Sequence, residues 1–178
     1  SMIHYCMSNI NHLILRDIAS SIKVISNTHI VRRLAEIPLP PQRSAEWFEM
    51  RTHMLTASSL ADAMGKGHFN TRNQTLLEKC FGIRDSTSFG NSIMQYGVKY
   101  EEVATALYER KYGVKIREFG SLPHPTLKCF GASPDGIVDC LEAGTTSKEH
   151  VGRMLEIKCP PKREITDETP WHYWAQVQ

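Results

Sequence analysis

Two acidic motifs near the end of the chain constrain its fold most strongly. The first is Ser133-Pro134-Asp135-Gly136, and the second is Leu155-Glu156-Ile157-Lys158-Cys159-Pro160, in which Glu156 follows Asp135 by 21 positions. Residues 153–159 have the pattern of a short strand, in which successive side chains alternate between the two faces. Glu156 and Lys158 are therefore predicted to project from one face, and the apolar residues between them from the other.

Asp135 and Glu156 have the chemistry of a divalent-metal site. Hydrolysis of a phosphodiester requires a hard cation that screens the phosphate and makes hydroxide from water, and Mg²⁺ prefers carboxylate, carbonyl and water oxygens. The amine of Lys158 would orient the attacking water or offset developing charge. Each motif has an ordinary alternative, because Pro-Asp-Gly is a common hairpin turn and Glu-x-Lys on a strand is usually solvated. The conjunction of the two motifs favours the metal site.

Three further segments accompany these motifs in a fixed order. They are Glu46-Trp47-Phe48-Glu49-Met50-Arg51 running into Leu55-Thr56-Ala57-Ser58, Tyr96-Gly97-Val98-Lys99-Tyr100-Glu101, and Tyr173-Trp174-Ala175-Gln176-Val177-Gln178. Together, the five segments extend from about Arg43 to Gln178 and resemble the phage-type 5′→3′ exonucleases, the lambda exonuclease and YqaJ viral recombinase group of the PD-(D/E)XK nucleases. The resemblance implies an α/β fold with a restriction-endonuclease-like core, in which a mixed β-sheet is flanked by helices.

The resemblance also implies a set of active-site residues: Glu101, Asp135, Glu156, Ile157, Lys158 and Gln176. The carboxylates of Asp135 and Glu156 would bind the metal together with the main-chain carbonyl of Ile157. Lys158 would assist the nucleophile, and Gln176 would complete the wall of the site. Glu101 would act on a second metal or on the attacking water. The implied cofactor is Mg²⁺, with Mn²⁺ as an alternative.

The DNA contacts implied by the resemblance lie in other segments. Arg51 and Ser58 would grip a terminal 5′-phosphate, and Ser133 would contribute to DNA binding. The chemistry agrees, because a guanidinium offers phosphate a bidentate fork. Residues 56–58 are predicted to open a helix that ends at Gly65, whose free amides would bind an anion, with a plain helix cap as the alternative. Beyond Pro160 the match requires a one-residue shift, so either Arg163 or Lys162 would be a further phosphate contact.

These residues predict a metal-dependent deoxyribonuclease. Its expected activity is that of a 5′→3′ exonuclease acting on double-stranded DNA ends in recombination, repair or viral genome processing. Relatives act with single-strand annealing proteins, and some form a ring of three around the duplex. The alternatives are an endonuclease or RNA-cutting member of the same superfamily and a non-catalytic DNA-binding or assembly subunit. The presence of Glu101, Asp135, Glu156 and Lys158 favours an enzyme.

Composition indicates one compact domain without a general basic coat. The 178 residues are 41% hydrophobic and carry a net charge of +2, which allows a substantial core but requires DNA binding to come from a local patch. The patch is predicted to contain Arg43, Arg51, Lys66, Arg72, Lys162 and Arg163. The five cysteines have no zinc-like spacing and are predicted to be reduced core thiols of an intracellular protein, in a compartment that the sequence leaves open.

The chain is predicted to have two regions. Residues 1–41 form an N-terminal helical extension and Pro-rich linker, because isoleucines and leucines recur at helical spacing through Ile22 and Ile25 before Pro38-Leu39-Pro40-Pro41. An organelle transit peptide is the alternative for this Ser-rich start, and no segment is long enough to span a membrane. Residues 42–178 form the nuclease domain, which is expected to be incomplete at its C-terminus, because relatives continue beyond this point. Either a fragment or a different completion of the fold would explain that end.

Local patterns predict the remaining elements. Helices are expected at residues 44–50, 73–81 and 92–112, with an apolar stripe of Ile93, Tyr100, Val103 and Leu107 on the longest, which opens at a turn at Gly97. Strands are expected at residues 114–119, 127–130, 137–141 and 154–159. Residues 142–151 are predicted to be a hairpin loop.

Overall fold

A computed structural model describes residues 20–82, 91–139, 147–162, 164, 166 and 168–177. The described part of the first helix, α1, is residues 20–35. The other helices are α2 (Ala45–Thr52), α3 (Leu60–Ala63), α4 (Arg72–Phe81), α5 (Asn91–Tyr112) and α6 (Trp171–Gln176). The strands are β1 (Leu55–Thr56), β2 (Lys115–Arg117), β3 (Leu122–Pro123), β4 (Phe130–Ala132), β5 (Gly136–Asp139) and β6 (Met154–Leu155). The single-turn 3₁₀ helices are Ala57–Ser59 and Lys148–His150.

The described strands form two three-stranded sheets. In the first sheet, β4 lies between β1, to which it is parallel, and β3, to which it is antiparallel. In the second sheet, β5 lies between β2 and β6 and is antiparallel to both. The architecture is α/β with helices around small sheets, as predicted, and the mixed sheet is one of two.

The structure excludes a hairpin at Pro134-Asp135-Gly136, which was the alternative to a metal site there. This segment connects β4 in one sheet to β5 in the other. The predicted strand at residues 127–130 is wrong at its start, because Nδ1 of His124 accepts hydrogen bonds from the N–H groups of Thr126 at 3.2 Å and Leu127 at 3.0 Å. These bonds fold the chain into a turn before β4 begins. Asp135 therefore lies where the chain changes sheets.

The helices at residues 44–50 and 73–81 are confirmed because their signals are local. The hydroxyl of Ser44 accepts the N–H of Trp47 and caps α2. A reciprocal capping box between Thr71 and Gln74 begins α4, and Gly82, with φ of 67°, ends it. Neither interaction depends on the rest of the fold, which is why both helices were predictable.

The longest helix, α5, is confirmed, but its predicted packing face is wrong. Val103 and Leu107 are 54% and 59% exposed. Tyr108 and Tyr112 pack instead against a cluster of Val114, Val138 and Leu155, because β2 follows α5 directly and fixes which side faces the second sheet. The helix also runs through Gly97 without the predicted turn. The side chain of Ile93 lies outside the described residues.

A second cluster attaches α1 to the rest of the molecule. Val31 of α1 is buried with Phe119, Ile137 and Val151. The amide of Asn27 donates to the carbonyl of Val151 at 2.8 Å. The predicted apolar face of this helix is wrong where it is described, since Ile22 and Ile25 are 61% and 70% exposed. The apolar residues predicted before residue 20 lie outside the described part.

Several remaining predictions concern loops and thiols. In the predicted loop at residues 142–151, residues 142–146 lie outside the description, whereas Val151 is a core residue. Cys80 and Cys129 are exposed free thiols and Cys159 is a half-buried one. The prediction of core thiols is therefore wrong for Cys80 and Cys129, which lie on a helix surface and in a turn. Cys6 and Cys140 are outside the description. Through the described residues, no helix has the length and apolar character needed to cross a membrane.

Candidate active site

The pairing of β5 with β6 brings the two acidic motifs together. Gly136 is the register partner of Leu155, so Asp135 and Glu156 flank the same end of the ladder. Beyond that pair, Oδ2 of Asp135 accepts the N–H of Ile157 at 2.5 Å. This bond takes the place of the next ladder hydrogen bond, which explains why β6 ends at Leu155 and not at residue 159 as predicted.

The carboxylate of Glu156 is held by two side chains. Its Oε1 accepts hydrogen bonds from Nζ of Lys158 at 2.5 Å and from Nε2 of Gln176 at 2.7 Å. The contact between Glu156 and Lys158 agrees with their predicted projection from one face. Gln176 approaches from α6, which packs against α3 and the 3₁₀ turn at residues 57–59. The segments at residues 156–158 and 171–176 therefore form one site.

Glu101 is the third acid, and it projects from α5. Its Oε2 accepts a hydrogen bond from Nη2 of Arg43 at 2.7 Å. Burial raises the pKa of Glu101 above its usual value, the charge of Asp135 raises the pKa further, and Arg43 opposes both. Burial is likewise the main cause that raises the pKa of Glu156, where Lys158 lowers the pKa and Asp135 raises it. Asp135 thus lies within the electrostatic reach of both other acids.

The donor set suits a hard divalent cation better than zinc. Inside the described ranges, no three Asp, Glu, His or Cys side chains lie close enough together to hold a metal ion by themselves. The predicted set of two carboxylates and one main-chain carbonyl consists of oxygens, which Mg²⁺ and Mn²⁺ accept. Burial is the larger cause of the raised pKa values of Glu101 and Glu156, and the negative charge of Asp135 adds to both. A cation near Asp135 would offset that charge, so these residues fit the implied metal.

A second group of side chains lies beside the acids. Arg51 donates from Nη1 to Oγ of Ser133 at 2.9 Å and from Nη2 to Oγ of Ser58 at 3.2 Å. Its guanidinium lies 4.2 Å from the ring centroid of Trp47, whose Nε1 also donates to Ser133 at 3.2 Å. The structure therefore brings together Arg51, Ser58 and Ser133, three of the residues that were predicted to bind DNA or its 5′-phosphate, and Trp47 supports them from one side.

The predicted helix N-terminus at residues 56–58 is replaced by a more compact arrangement. A 3₁₀ turn precedes α3, which has only four residues. A helix this short has little macrodipole, so it does not provide the predicted amide site. The polar side-chain groups at this turn are hydroxyls. Oγ1 of Thr56 contacts Oγ of Ser58 at 3.1 Å and Oγ of Ser59 at 3.0 Å.

Sequence reasoning missed the supporting roles of three residues. Gln42 donates from Nε2 to the carbonyls of Phe119 at 2.7 Å and Pro134 at 3.0 Å, which fixes the chain next to Asp135. Arg43, which was predicted to belong to the DNA-binding patch, pairs with Glu101 from a backbone with φ of 66°. Trp47 lies in one of the five segments that resemble the exonuclease family, and this resemblance could have indicated its role. The contacts of Gln42 join residues 77 and 92 positions apart, so no local pattern indicates them.

The other residues of the predicted basic patch lie on the surface where they are described. Lys66, Arg72 and Lys162 are exposed. Arg163, the alternative to Lys162 as a phosphate contact, lies outside the described residues.

Comparison with known proteins gives consistent results. Residues 46–178 match the model of the YqaJ-like viral recombinase domain. An uncharacterized protein of Acanthamoeba polyphaga mimivirus is 33% identical over an alignment of 171 residues, and the match covers 88% of this chain and 30% of the mimivirus protein. The chain thus spans less than a third of that relative.

Two solved structures of an alkaline exonuclease, LHK-Exo, are also similar. One is the complex of LHK-Exo with dAMP. It is 31% identical to this chain with a TM-score of 0.55, and the match covers 75% of this chain and 65% of the LHK-Exo chain. The other is the enzyme from Laribacter hongkongensis, which is 33% identical with a TM-score of 0.49 and covers 67% of this chain and 55% of that one.

Proposed function

This chain belongs to the YqaJ-like viral recombinase domain family, and we propose that it is a Mg²⁺-dependent 5′→3′ exonuclease acting on double-stranded DNA ends. One observation carries the proposal. Arg51 contacts Ser133, and Ser133 is two residues from Asp135. Asp135 in turn accepts the N–H of the residue that follows Glu156. A cluster suited to phosphate and a cluster suited to a metal are therefore joined by one short segment.

Each side chain has a distinct task in the proposed reaction. A bound divalent cation would supply Lewis-acid activation of water and charge neutralisation at the scissile phosphate. Asp135, Glu156 and the carbonyl of Ile157 would hold it. Lys158, which donates to Glu156, would orient the attacking water and offset negative charge on the phosphate. Gln176 would keep Glu156 in position through its hydrogen bond.

Glu101 would act together with Asp135. Its carboxylate is bound to Arg43 and feels the charge of Asp135. That position suits a ligand of a second cation or a group that orients water. Arg43 holds this carboxylate in place through an ion pair that is partly exposed to solvent.

Preference for a chain end would come from Arg51. Its guanidinium already bridges two serine hydroxyls, and a terminal phosphate has more charge and more free oxygens than an internal one. Such a phosphate can accept a charge-assisted bidentate contact. The structure of LHK-Exo in complex with dAMP, which has a TM-score of 0.55 to this chain, supports this choice over an endonuclease. A ring of three subunits, a single-strand annealing partner and an intracellular location are part of the same proposal.

End preference can be tested with three DNA substrates. Linear duplex with a 5′-phosphate, the same duplex with a 5′-hydroxyl, and closed circular duplex are each incubated with the protein in Mg²⁺ or in EDTA. We expect degradation of the linear substrates only, in Mg²⁺ only, and faster with the 5′-phosphate. Arg51→Ala should remove most of that preference, with a loss of about tenfold to a hundredfold on the phosphorylated end, since hydrogen bonds to charged groups contribute about 1.5–3 kcal/mol.

Arg33→Ala is the matched control. Arg33 is an exposed arginine of α1, so its removal should leave the 5′-phosphate preference unchanged. Efficient nicking of closed circles by the wild-type protein would instead favour an endonuclease. Indifference to the 5′ group would leave Arg51 as a general backbone contact.

A further inference from the structure

A row of aromatic rings runs from the proposed catalytic lysine to the surface. Nζ of Lys158 lies 5.2 Å from the ring centroid of Tyr173. The ring of Tyr173 lies 4.1 Å from that of His172, which in turn lies 4.6 Å from His68 and 6.2 Å from Phe69. Each step is within the range of direct ring contact. The active site and the loop that precedes α4 are thus connected by rings in tilted and edge-to-face contact.

The rings at the outer end of this row are exposed to solvent. Phe69 is 73% exposed, and Trp171 on the neighbouring helix α6 is 41% exposed. Burial drives most aromatic packing, so an exposed phenylalanine contributes little to folding. The loop at residues 65–72 also borders an open depression of about 310 Å³, at the lower end of the size of ligand sites.

The backbone beneath Phe69 is nevertheless anchored. Asp62 is 5% exposed, and its Oδ1 accepts the N–H of Phe69 at 3.3 Å. A Cβ atom on Gly67 would come within 1.6 Å of the same oxygen, so the loop lies tightly on this carboxylate. The capping box of Thr71 and Gln74 fixes the other end of the loop. The ring is therefore presented by a backbone that is held in place.

The exposed charges beside these rings in the sequence are positive. Lys66 and Arg72 flank Phe69 three residues away on either side, and residues 63–77 and 169–177 contain no Asp or Glu. The nearby carboxylate of Asp62 is buried beneath the loop, where it accepts the N–H of Phe69. Nζ of Lys66 also lies 5.4 Å from the ring centroid of Trp171. Exposed rings interleaved with cations are the combination that binds unpaired nucleotides, since bases stack on the rings while the cations attract the phosphates.

We propose that this surface, formed by Lys66, His68, Phe69, Trp171 and His172 and called here the ring platform, stacks unpaired bases of a DNA strand beside the active site. The inference rests on the proposed function, because it takes the ligand to be DNA. The occupant is single-stranded, since the base faces inside a duplex are already stacked. The ring platform would hold a few nucleotides of a strand that has separated from its complement near the point of cleavage.

Binding to single-stranded oligonucleotides tests the ring platform separately from catalysis. The probe is a fluorescently labelled oligothymidine. The control probe is an abasic strand with the same sugar-phosphate backbone. Both are titrated in EDTA, where cleavage is prevented, and dissociation constants are measured by fluorescence anisotropy. Wild-type protein should bind oligothymidine about five- to a hundredfold more tightly than the abasic strand, the range expected for one stacked base.

Phe69→Ala should remove most of that difference while binding the abasic strand like the wild type. Phe81→Ala is the control, because Phe81 is also highly exposed, at 70%, but lies at the far end of α4. Equal loss of binding to oligothymidine in both variants would overturn the proposal, and so would equal affinity of wild-type protein for the two strands. A protein that discriminates bases through Phe69 but cleaves no DNA in Mg²⁺ would retain the ring platform and refute the proposed nuclease.

Discussion

Replacement of Lys158 by alanine separates the proposed chemistry from a structural role. Its Nζ lies 2.5 Å from Oε1 of Glu156, and its side chain is 33% exposed. Glu156 keeps a second donor in Gln176, so loss of the amine leaves the carboxylate with one of its two hydrogen bonds. The fold should therefore survive the change, while the positive charge beside the proposed metal ligand is removed.

The size of the effect follows from this environment. One positioned proton-transfer or electrostatic group accelerates a reaction by about 10²- to 10⁴-fold. Since the side chain of Lys158 is 33% exposed, solvent screens part of its field. We therefore expect the lower half of that range, a loss of about 10²- to 10³-fold in kcat, which corresponds to roughly 3–4 kcal/mol of transition-state stabilisation.

The assay is single-turnover release of nucleotides from an end-labelled duplex at saturating Mg²⁺. Thermal unfolding of the same sample shows whether the fold is intact. Lys128→Ala serves as the control, because Lys128 is an exposed lysine in the turn before β4. A folded Lys158→Ala protein with a rate within threefold of the wild type would refute the catalytic role. A variant that does not fold would assign Lys158 a structural one.

Two further predictions concern the charge and the backbone around the site. Burial raises the pKa of Glu156, so ionisation of this residue destabilises the folded state as pH rises above its usual pKa. In EDTA, Glu156→Gln should therefore have a higher unfolding free energy than wild type at pH 8, with the difference shrinking toward pH 4. A constant difference would contradict this. Arg43 has φ of 66°, so Arg43→Gly should be more stable than Arg43→Ala by about 1 kcal/mol in denaturant titrations. Equal stability of the two variants would show that the backbone there is unstrained.

The fold was predictable where its signals are local. Ser44, Thr71 and Gly82 mark helix ends through contacts within a few residues. The face of α5 was not predictable in the same way, because Val103 and Tyr108 are both compatible with a helical stripe. Only the second sheet selects the side that carries Tyr108. The two-residue strands β1 and β3 depend on pairing with β4, so no period in their own sequence could indicate them.

The site was predictable to a similar extent. The alternation of side chains around Ile157 placed Glu156 and Lys158 on one face, which their contact agrees with. The sequence left a hairpin open as the alternative for the Pro-Asp-Gly turn, because turn chemistry does not specify which strands a turn joins. Glu101 and Gln176 came from the family resemblance alone, since each lies on a helix distant in sequence from the acidic motifs.

The most direct test of the account is cleavage of a 5′-phosphorylated, end-labelled duplex by wild-type protein and by Asp135→Asn, each in Mg²⁺ and in EDTA. The account predicts rapid release of nucleotides from the 5′ end by the wild type in Mg²⁺ alone. It predicts no detectable release by Asp135→Asn, which should still bind the duplex at least as tightly because one negative charge near the phosphate is gone. Cleavage by Asp135→Asn within threefold of wild type, or equal cleavage by the wild type in EDTA, would contradict the account.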